Sequence, residues 1–600
     1  VRSIVPVAAV TVSTVLLLAG CSRGGHRGHG ERRPAVGAAK EAAGASLGDF
    51  NGDGYDDFAT TIRPTSASRG PLPARLAVVY GSPRGLDPRH RLVVDGAEDD
   101  YVGPLLRADL DGDGYTDLVT ARFRHGRTPG AERTGETVVL RGGRHGLSAP
   151  RPLGGGAAGF LALAVGDFDG DGAADLLASE AGGGGALRVL YGPFGTGTAP
   201  ARTVPLPTGR ERRAAPATAT AGDFDGDHRT DVVLTYRYDA DQPDQEGGPD
   251  QRDQPERQGG PERQGGPDQR DQPERQGGPE RQGGPDQPDQ PDQPDQEGEP
   301  EQQGGPDQRD QPERQGGPER QGGPDQPDQP DQPDQEGEPG QPDRPGADDT
   351  APLDLPVVHY RGSPKVLVRD KRPEPRLAHA LGTEDGPREP AAGDADHDGI
   401  DDLLAPGEGT LGTGRHHGSG RLTVVHGARS GLGRGRADLT VDPSAPGLPG
   451  EPRRGDGFGG SPAVGDITGD GRPDLVVAVP ETNHGNGRLV LLPGSRRGRG
   501  GEYDPAASAH VGDGGEQAVD LDTPGVPGRH APYGSDGFAP QPPLLDVDGD
   551  GHDDVVAAAP GYGHGRTGGF WVLRGTGHGL STRGVHHFNP ADLGIRFRTG

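Results

Sequence analysis

One nine-residue arrangement of oxygen-bearing side chains recurs seven times along this 600-residue chain: Asp-x-[Asp/Asn/Thr]-x-Asp-x-x-x-Asp. In a tight turn, side chains at positions 1, 3 and 5 point inward together, position 7 adds a backbone carbonyl, and the carboxylate at position 9 closes the shell. Such a set of hard oxygen donors suits Ca²⁺, which takes six to eight of them. The candidate ligands of the first loop are Asp49, Asn51, Asp53, the Tyr55 carbonyl and Asp57. The second offers Asp109, Asp111, Asp113, Tyr115 and Asp117, and the third Asp167, Asp169, Asp171, Ala173 and Asp175. The fourth offers Asp223, Asp225, Asp227, Arg229 and Asp231, and the fifth Asp394, Asp396, Asp398, Ile400 and Asp402. The sixth offers Asp466, Thr468, Asp470, Arg472 and Asp474, and the seventh Asp546, Asp548, Asp550, His552 and Asp554. Carboxylates crowded in this way repel one another unless a cation neutralises them, so several calcium ions, up to seven, are expected. An EF-hand closes with Glu at position 12 and is flanked by helices; position 12 here is Thr60, Thr120, Ala178, Leu234, Ala405, Val477 or Ala557. Two loops depart from the pattern, with His228 where the others have Gly after the third ligand and with Thr468, a weaker ligand, at position 3.

The elements that must hold these loops follow from their spacing. Successive loops start 60, 58, 56, 171, 72 and 80 residues apart. Each loop is followed by short apolar runs bounded by Gly and Asp, such as Phe58–Ile62 and Leu76–Tyr80, Leu118–Ala121 and Thr137–Leu140, or Val555–Ala559 and Phe570–Leu573. That is strand patterning. A Gly-rich turn often follows the second run, as at Gly81, Gly142, Gly427 and Gly575, and a weaker run such as Arg91–Val94 comes next. Four strands per unit of about 60 residues predict an all-β fold, a seven-bladed β-propeller with four-stranded blades; a β-solenoid has much shorter turns. The 171-residue step contains Asp241–Gly346, built only from Asp, Gln, Pro, Glu, Arg and Gly. With no apolar side chain to offset chain entropy, this segment is expected to be a disordered insertion in blade 4. The propeller then comprises residues 46–240 (blades 1–3 and the first part of blade 4) and 347–600 (the rest of blade 4 and blades 5–7).

The formal net charge of −30 argues against nucleic acid as partner. The single cysteine, Cys21, rules out an intramolecular disulfide. It follows an apolar stretch, Ile4–Leu18, then Ala19 and Gly20. This reads as a secretory signal, residues 1–21, rather than a spanning helix. Leu18-Ala19-Gly20-Cys21 resembles the lipobox of bacterial lipoproteins, which implies cleavage before Cys21 and lipidation of its thiol. Residues 22–45 read as a flexible tether; His26 and His29 within it read as solvated. The protein is thus expected to be a secreted, lipid-anchored monomer on the outer face of the cytoplasmic membrane.

Phe458-Gly459, Gly465–Gly471 and Ala478-Val479-Pro480, with Phe538-Ala539 and Ala558-Ala559-Pro560 at matching places, resemble the FG-GAP repeats of integrin α-subunit propellers and their bacterial relatives. Blades 1–4 keep the Asp loop but largely lack the Phe-Gly and Gly-Ala-Pro parts, and so look closer to the related VCBS/FG-GAP bacterial repeats. The resemblance implies a calcium-stabilised seven-bladed propeller and no particular ligand. The expected function is a non-catalytic surface module for adhesion or recognition of a protein or an envelope polysaccharide. One alternative is an extracellular hydrolase or lyase acting on polysaccharide or phosphoester; no catalytic constellation is readable, so no catalytic residue is assigned. The other is a spacer displaying the insertion. Three motifs are read as incidental: Gly44-Ala45-Ser46-Leu47-Gly48 (G-x-S-x-G), Gly407–Gly412 (G-x-G-x-x-G) and Arg454-Gly455-Asp456 (RGD).

Overall fold

The computed structural model describes residues 47–238 and 357–595, apart from 67–69, 96–98, 125–133, 155–158, 181–185, 196, 208–213, 383–388, 408–417, 446, 495–514, 532–534 and 564–565. Cys21, the signal segment, the tether and Asp241–Gly346 lie outside the described residues.

Each apolar run forms a strand because its Val, Leu and Ala side chains are covered on both faces of a sheet by neighbouring sheets. Asp474–Val479 and Asp554–Ala559 are buried throughout, which accounts for their near-continuous apolar sequence. Seven antiparallel blade sheets result, with one separate two-stranded hairpin beside blade 1. Blade 3 shows the plan: Phe160–Gly166, Asp175–Glu180, Leu187–Tyr191 and Arg202–Leu206 pair in sequence order. Blades 4 to 7 repeat it. In blade 2 the first strand is split into Asp99–Tyr101 and Leu106–Ala108, both pairing with Asp117–Arg124. Blade 1 has three described strands, Phe58–Ile62, Arg75–Val79 and Arg91–Val94. Gly48 stands where the first strand ends in other blades, its carbonyl accepting the Asp57 N–H at 3.0 Å.

First strands of neighbouring blades lie against one another, which places them nearest the axis. Fourth strands are the most exposed, as Arg202–Leu206 shows, where only Leu206 is buried. The core therefore lies between blades. Phe58, Ala77 and Val79 of blade 1 share one cluster with Val556, Phe570 and Val572 of blade 7, so the ring closes by the same packing that joins every other pair.

In blades 2 to 7 the Asp loop joins the first strand of its blade to the second, bridging residues paired in register, such as Gly166 with Asp175, Gly222 with Asp231, Gly393 with Asp402 and Gly465 with Asp474; in blade 1 it leads into Phe58–Ile62, which takes the place of the second strand. In blade 4 the chain leaves the second strand, Asp231–Tyr238, and re-enters at Val357–Arg361, its antiparallel neighbour. That exit is at the end of the strand opposite the Asp loop. Few helices interrupt the sheets; Glu374–Leu381 connects blades 4 and 5.

Candidate metal centres: seven interlocked loops

The seven loops share one hydrogen-bond frame. Oδ2 of position 1 accepts the N–H of position 6 in every copy, at 2.8–3.0 Å, from Gly54, Gly114, Gly172, His228, Gly399, Gly471 and Gly551. Oδ1 of position 5 accepts the N–H of position 7 in every copy, at 2.8–3.1 Å. Position 6 lies in the left-handed region throughout, including His228 at φ 64°. The departure at His228 therefore strains one residue without changing the loop.

Position 9 is buried in all seven loops. One of its oxygens accepts an N–H from the glycine that follows the third strand: Gly81, Gly142, Gly192, Gly362, Gly427, Gly494 and Gly575, at 2.7–2.9 Å. In four loops the other oxygen accepts the N–H of position 2, and in the sixth loop that of Thr468; in loops 4 and 7 that oxygen, Oδ2 of Asp231 and of Asp554, is buried without a hydrogen-bond partner among the described residues. In six blades a Cβ on that glycine would lie 2.2–2.4 Å from the carbonyl oxygen of position 8, so only glycine fits. Burial raises the position-9 carboxyls, reinforced by neighbouring loop carboxylates at all but Asp117: Asp57 and Asp231 to about 8, Asp175 and Asp554 to about 7, Asp117, Asp402 and Asp474 to about 6.

The loops also interlock from blade to blade. A side chain at position 7 covers position 4 of the preceding loop: Tyr115 over Gly52, Arg229 over Gly170, Ile400 over Gly226, His552 over Gly469, and Tyr55 over Gly549 across the ring closure. The apolar residue at position 2 (Phe50, Leu110, Phe168, Phe224, Ala395, Ile467 or Val547) is at most 1 % exposed and anchors its loop. Its carbonyl accepts an N–H from the next blade, as Phe50 does from Gly143, Phe224 from Ala428, and Val547 from Ser82 at 3.1 Å. Where position 8 is Asp, a reciprocal clasp forms. Asp401 N–H bonds the Asp223 carbonyl at 3.0 Å, and its carboxylate accepts the Asp223 N–H at 2.9 Å. Asp553 pairs with Asp466 in the same way, and Asp56 with Asp546.

Carboxylate oxygens of positions 1, 3 and 9 converge within 4.8 Å in loops 2 and 3, as do those of positions 1, 3 and 5 in loops 4 and 5. His426, at the end of a third strand, joins Asp396 and Asp402 in a similar group. One oxygen of position 3 is buried without a hydrogen-bond partner among the described residues in all five loops that have Asp there: Oδ1 of Asp111, Asp169, Asp225, Asp396 and Asp548. Oxygen-rich clusters with orphaned buried acceptors fit a hard divalent cation.

The RGD tripeptide has a structural role. Asp456 is 5 % exposed; its carboxylate accepts the Arg453 N–H at 2.7 Å and its carbonyl the Glu481 N–H at 3.0 Å. Asp536 holds the corresponding turn before Phe538, bonding the Ala531 N–H through its carboxylate and the Gly561 N–H through its carbonyl. Phe458 and Phe538 seat these turns on the preceding blade, donating to the carbonyls of Ser419 and Asn486. Ser46 and the stretch 408–412 of the other two motifs lie outside the described residues.

Models of two repeat families match the chain, the FG-GAP-like repeat at residues 109–178 and the FG-GAP repeat at residues 458–492 and 538–573. The chain carries FG-GAP repeats. The division follows the blades: the FG-GAP match covers the two Phe-containing turns and their strands, and the FG-GAP-like match spans the Asp loops of blades 2 and 3. No curated protein matches the chain.

Sequence reading found the loops, because Asp spacing is local. It missed the position-2 anchors, the position-4 seats and the reason for the glycine after each third strand. That glycine recurs visibly, but its partner carboxylate is far away in sequence. It also assigned neutralisation of the carboxylates to a metal alone, whereas arginines already pair with carboxylates of six of the loops.

Proposed function

We propose that this FG-GAP propeller is a non-catalytic, calcium-binding recognition module held outside the cell by a lipid on Cys21. The observation that carries the calcium reading is the single hydrogen-bond frame shared by all seven loops, with buried carboxylate oxygens left unpartnered inside it. Ca²⁺ would be held by the side chains at positions 1, 3, 5 and 9 and the carbonyl of position 7, and it would supply electrostatic cross-linking rather than chemistry. Recognition of a protein or envelope polysaccharide is assigned to the opposite face. There the connections between second and third strands differ from blade to blade, and loops carried on a rigid scaffold serve binding well. The Leu18–Cys21 segment supports anchoring to the outer face of the cytoplasmic membrane. In cell fractionation, Cys21→Ser should release the protein to the medium; retention on the membrane would exclude the lipid anchor. Calcium binding is tested by titration of the purified propeller, and absence of any binding at millimolar calcium would remove the reading.

A further inference from the structure

An arginine accompanies the Asp at position 3 wherever that Asp occurs. Arg141 meets Asp111 at 3.3 Å and Arg202 meets Asp169 at 2.6 Å. Arg361 pairs with Asp225, Arg436 with Asp396, and Arg574 with Asp548. In the two loops whose position 3 is neutral, Asn51 and Thr468, no described arginine is paired with that residue. The five arginines do not come from one place in the repeat. Arg141, Arg361 and Arg574 stand at the end of a third strand, Arg202 begins a fourth strand, and Arg436 lies in the connection between the two. Different positions thus reach the same target.

The target is one particular oxygen. In all five loops the guanidinium faces Oδ2 of the aspartate, Arg141 doing so at 3.3 Å while it hydrogen-bonds Oδ2 of Asp117 at 2.5 Å, and Oδ1 is the oxygen left buried and unpartnered among the described residues. Three of the arginines also reach the next blade: Arg141 donates to the carbonyls of Phe194 and Gly195, Arg202 to that of Lys365 at 2.8 Å, and Arg574 to that of Arg84 at 2.9 Å. A guanidinium fork fixed at one end to a neighbouring backbone holds the carboxylate plane in a single orientation. Asn51 and Thr468 carry no charge that needs such a partner.

We propose that Arg141, Arg202, Arg361, Arg436 and Arg574 are positioning residues of the cation loops: each holds Oδ2 of the position-3 aspartate and presents Oδ1 to the ion. This rests on the calcium reading above. Partners behind a ligating group typically change metal affinity 10- to 100-fold when removed. In loops 2, 3 and 7 the arginine also couples the loop to the adjacent blade, so ion binding there stiffens the junction as well as the loop.

Loop 2 offers a direct test, because Tyr115 supplies its position-7 carbonyl and sensitises luminescence of Tb³⁺ bound as a calcium substitute. Because the Tyr115 ring also covers Gly52 of loop 1, the loop 2 signal is taken as the component lost in Asp113→Ala, which removes the exposed position-5 ligand of loop 2 alone. In the whole protein, Arg141→Gln should shift the midpoint of that component to about tenfold higher Tb³⁺. Arg141→Lys should recover only part of the loss, because an ammonium keeps the charge but lacks the fork. An unchanged or tighter midpoint in Arg141→Gln, or full recovery in Arg141→Lys, would overturn the positioning role and leave the calcium reading standing. No Tb³⁺ luminescence and no calcium-dependent melting in the unmutated protein would remove both. Should Arg141→Gln fail to fold, Arg574→Gln gives a second reading. Its calcium-induced rise in melting temperature should be smaller than that of the parent, and an equal rise would overturn the proposal.

Discussion

The two ends of the blades obey different rules. At the Asp-loop end, seven copies keep the same hydrogen bonds and the same buried acceptor at position 9, and they are linked to their neighbours through backbone groups. At the other end, the connection between second and third strands runs from Glu180 to Leu187 in blade 3, from Val479 to Arg488 in blade 6, and from Tyr238 to Val357 in blade 4. Blade 1 places a short hairpin there, Thr65–Ser66 with Gly70–Pro71. Loop length costs little, since closure entropy grows only logarithmically, but a loop whose backbone is bonded to the next blade cannot change without disturbing the ring. One end is therefore the frame and the other is free to differ.

Five results would break or sharpen this contrast, beginning with the largest. Removal of calcium should destabilise the propeller as a whole. Each site held at 100 times its dissociation constant adds about 2.7 kcal/mol, so with several sites the melting temperature should fall by many degrees between millimolar calcium and chelator. Coincident calorimetric traces in the two conditions would refute a metal-dependent frame.

Within the frame, Asp474→Ala should cost about 3 kcal/mol even in chelator, because the N–H groups of Thr468 and Gly494 lose a buried acceptor. The exposed Asp470→Ala should leave the metal-free melt nearly unchanged and reduce only the response to calcium. Equal losses in chelator would show that position 9 has no special structural part. Away from the loops, Asp456→Ala should destabilise by about 1–3 kcal/mol through the unpaired turn, while Arg454→Ala should lie within about 0.5 kcal/mol of the parent. The reverse ranking in denaturant titrations would return the tripeptide to the exposed surface.

Between the two ends, His359 is 1 % exposed on the third strand of blade 4, with neither ring nitrogen bonded among the described residues. Burial lowers it from 6.5 to about 4, opposed by Asp370 and assisted by Arg361 and Arg434. The unfolded chain therefore takes up the proton first. The stability this contributes is complete above pH 6.5 and is lost as pH falls through 4. His359→Leu should flatten that part of the pH–stability curve; an unchanged slope would show that the imidazole is hydrated in solution. The smallest effect is expected from the insertion: with Asp241–Gly346 replaced by a short Gly-Ser linker, folding and calcium response should both persist. A chain that no longer folds would place that segment in the frame.

The sequence by itself determined the number of blades and the chemistry of the loops. Asp49, Asn51, Asp53 and Asp57 lie within nine residues, and the strand runs beside them are legible from burial on both faces. It also separated Phe458 and Phe538 from the plainer repeats of blades 1–4. Only the tertiary structure decided which carboxylate does what. Asp231 meets Gly362 and Asp225 meets Arg361 across the insertion, and the Tyr55 ring covers Gly549 of the last blade. Those contacts depend on strand register and on the packing of one blade on the next, and neither is written in the local spacing of residues. The same reason explains why Asp456, read in sequence as part of an incidental tripeptide in a loop, proves to be a buried acceptor: its partners are set by the turn that Phe458 seats on the preceding blade.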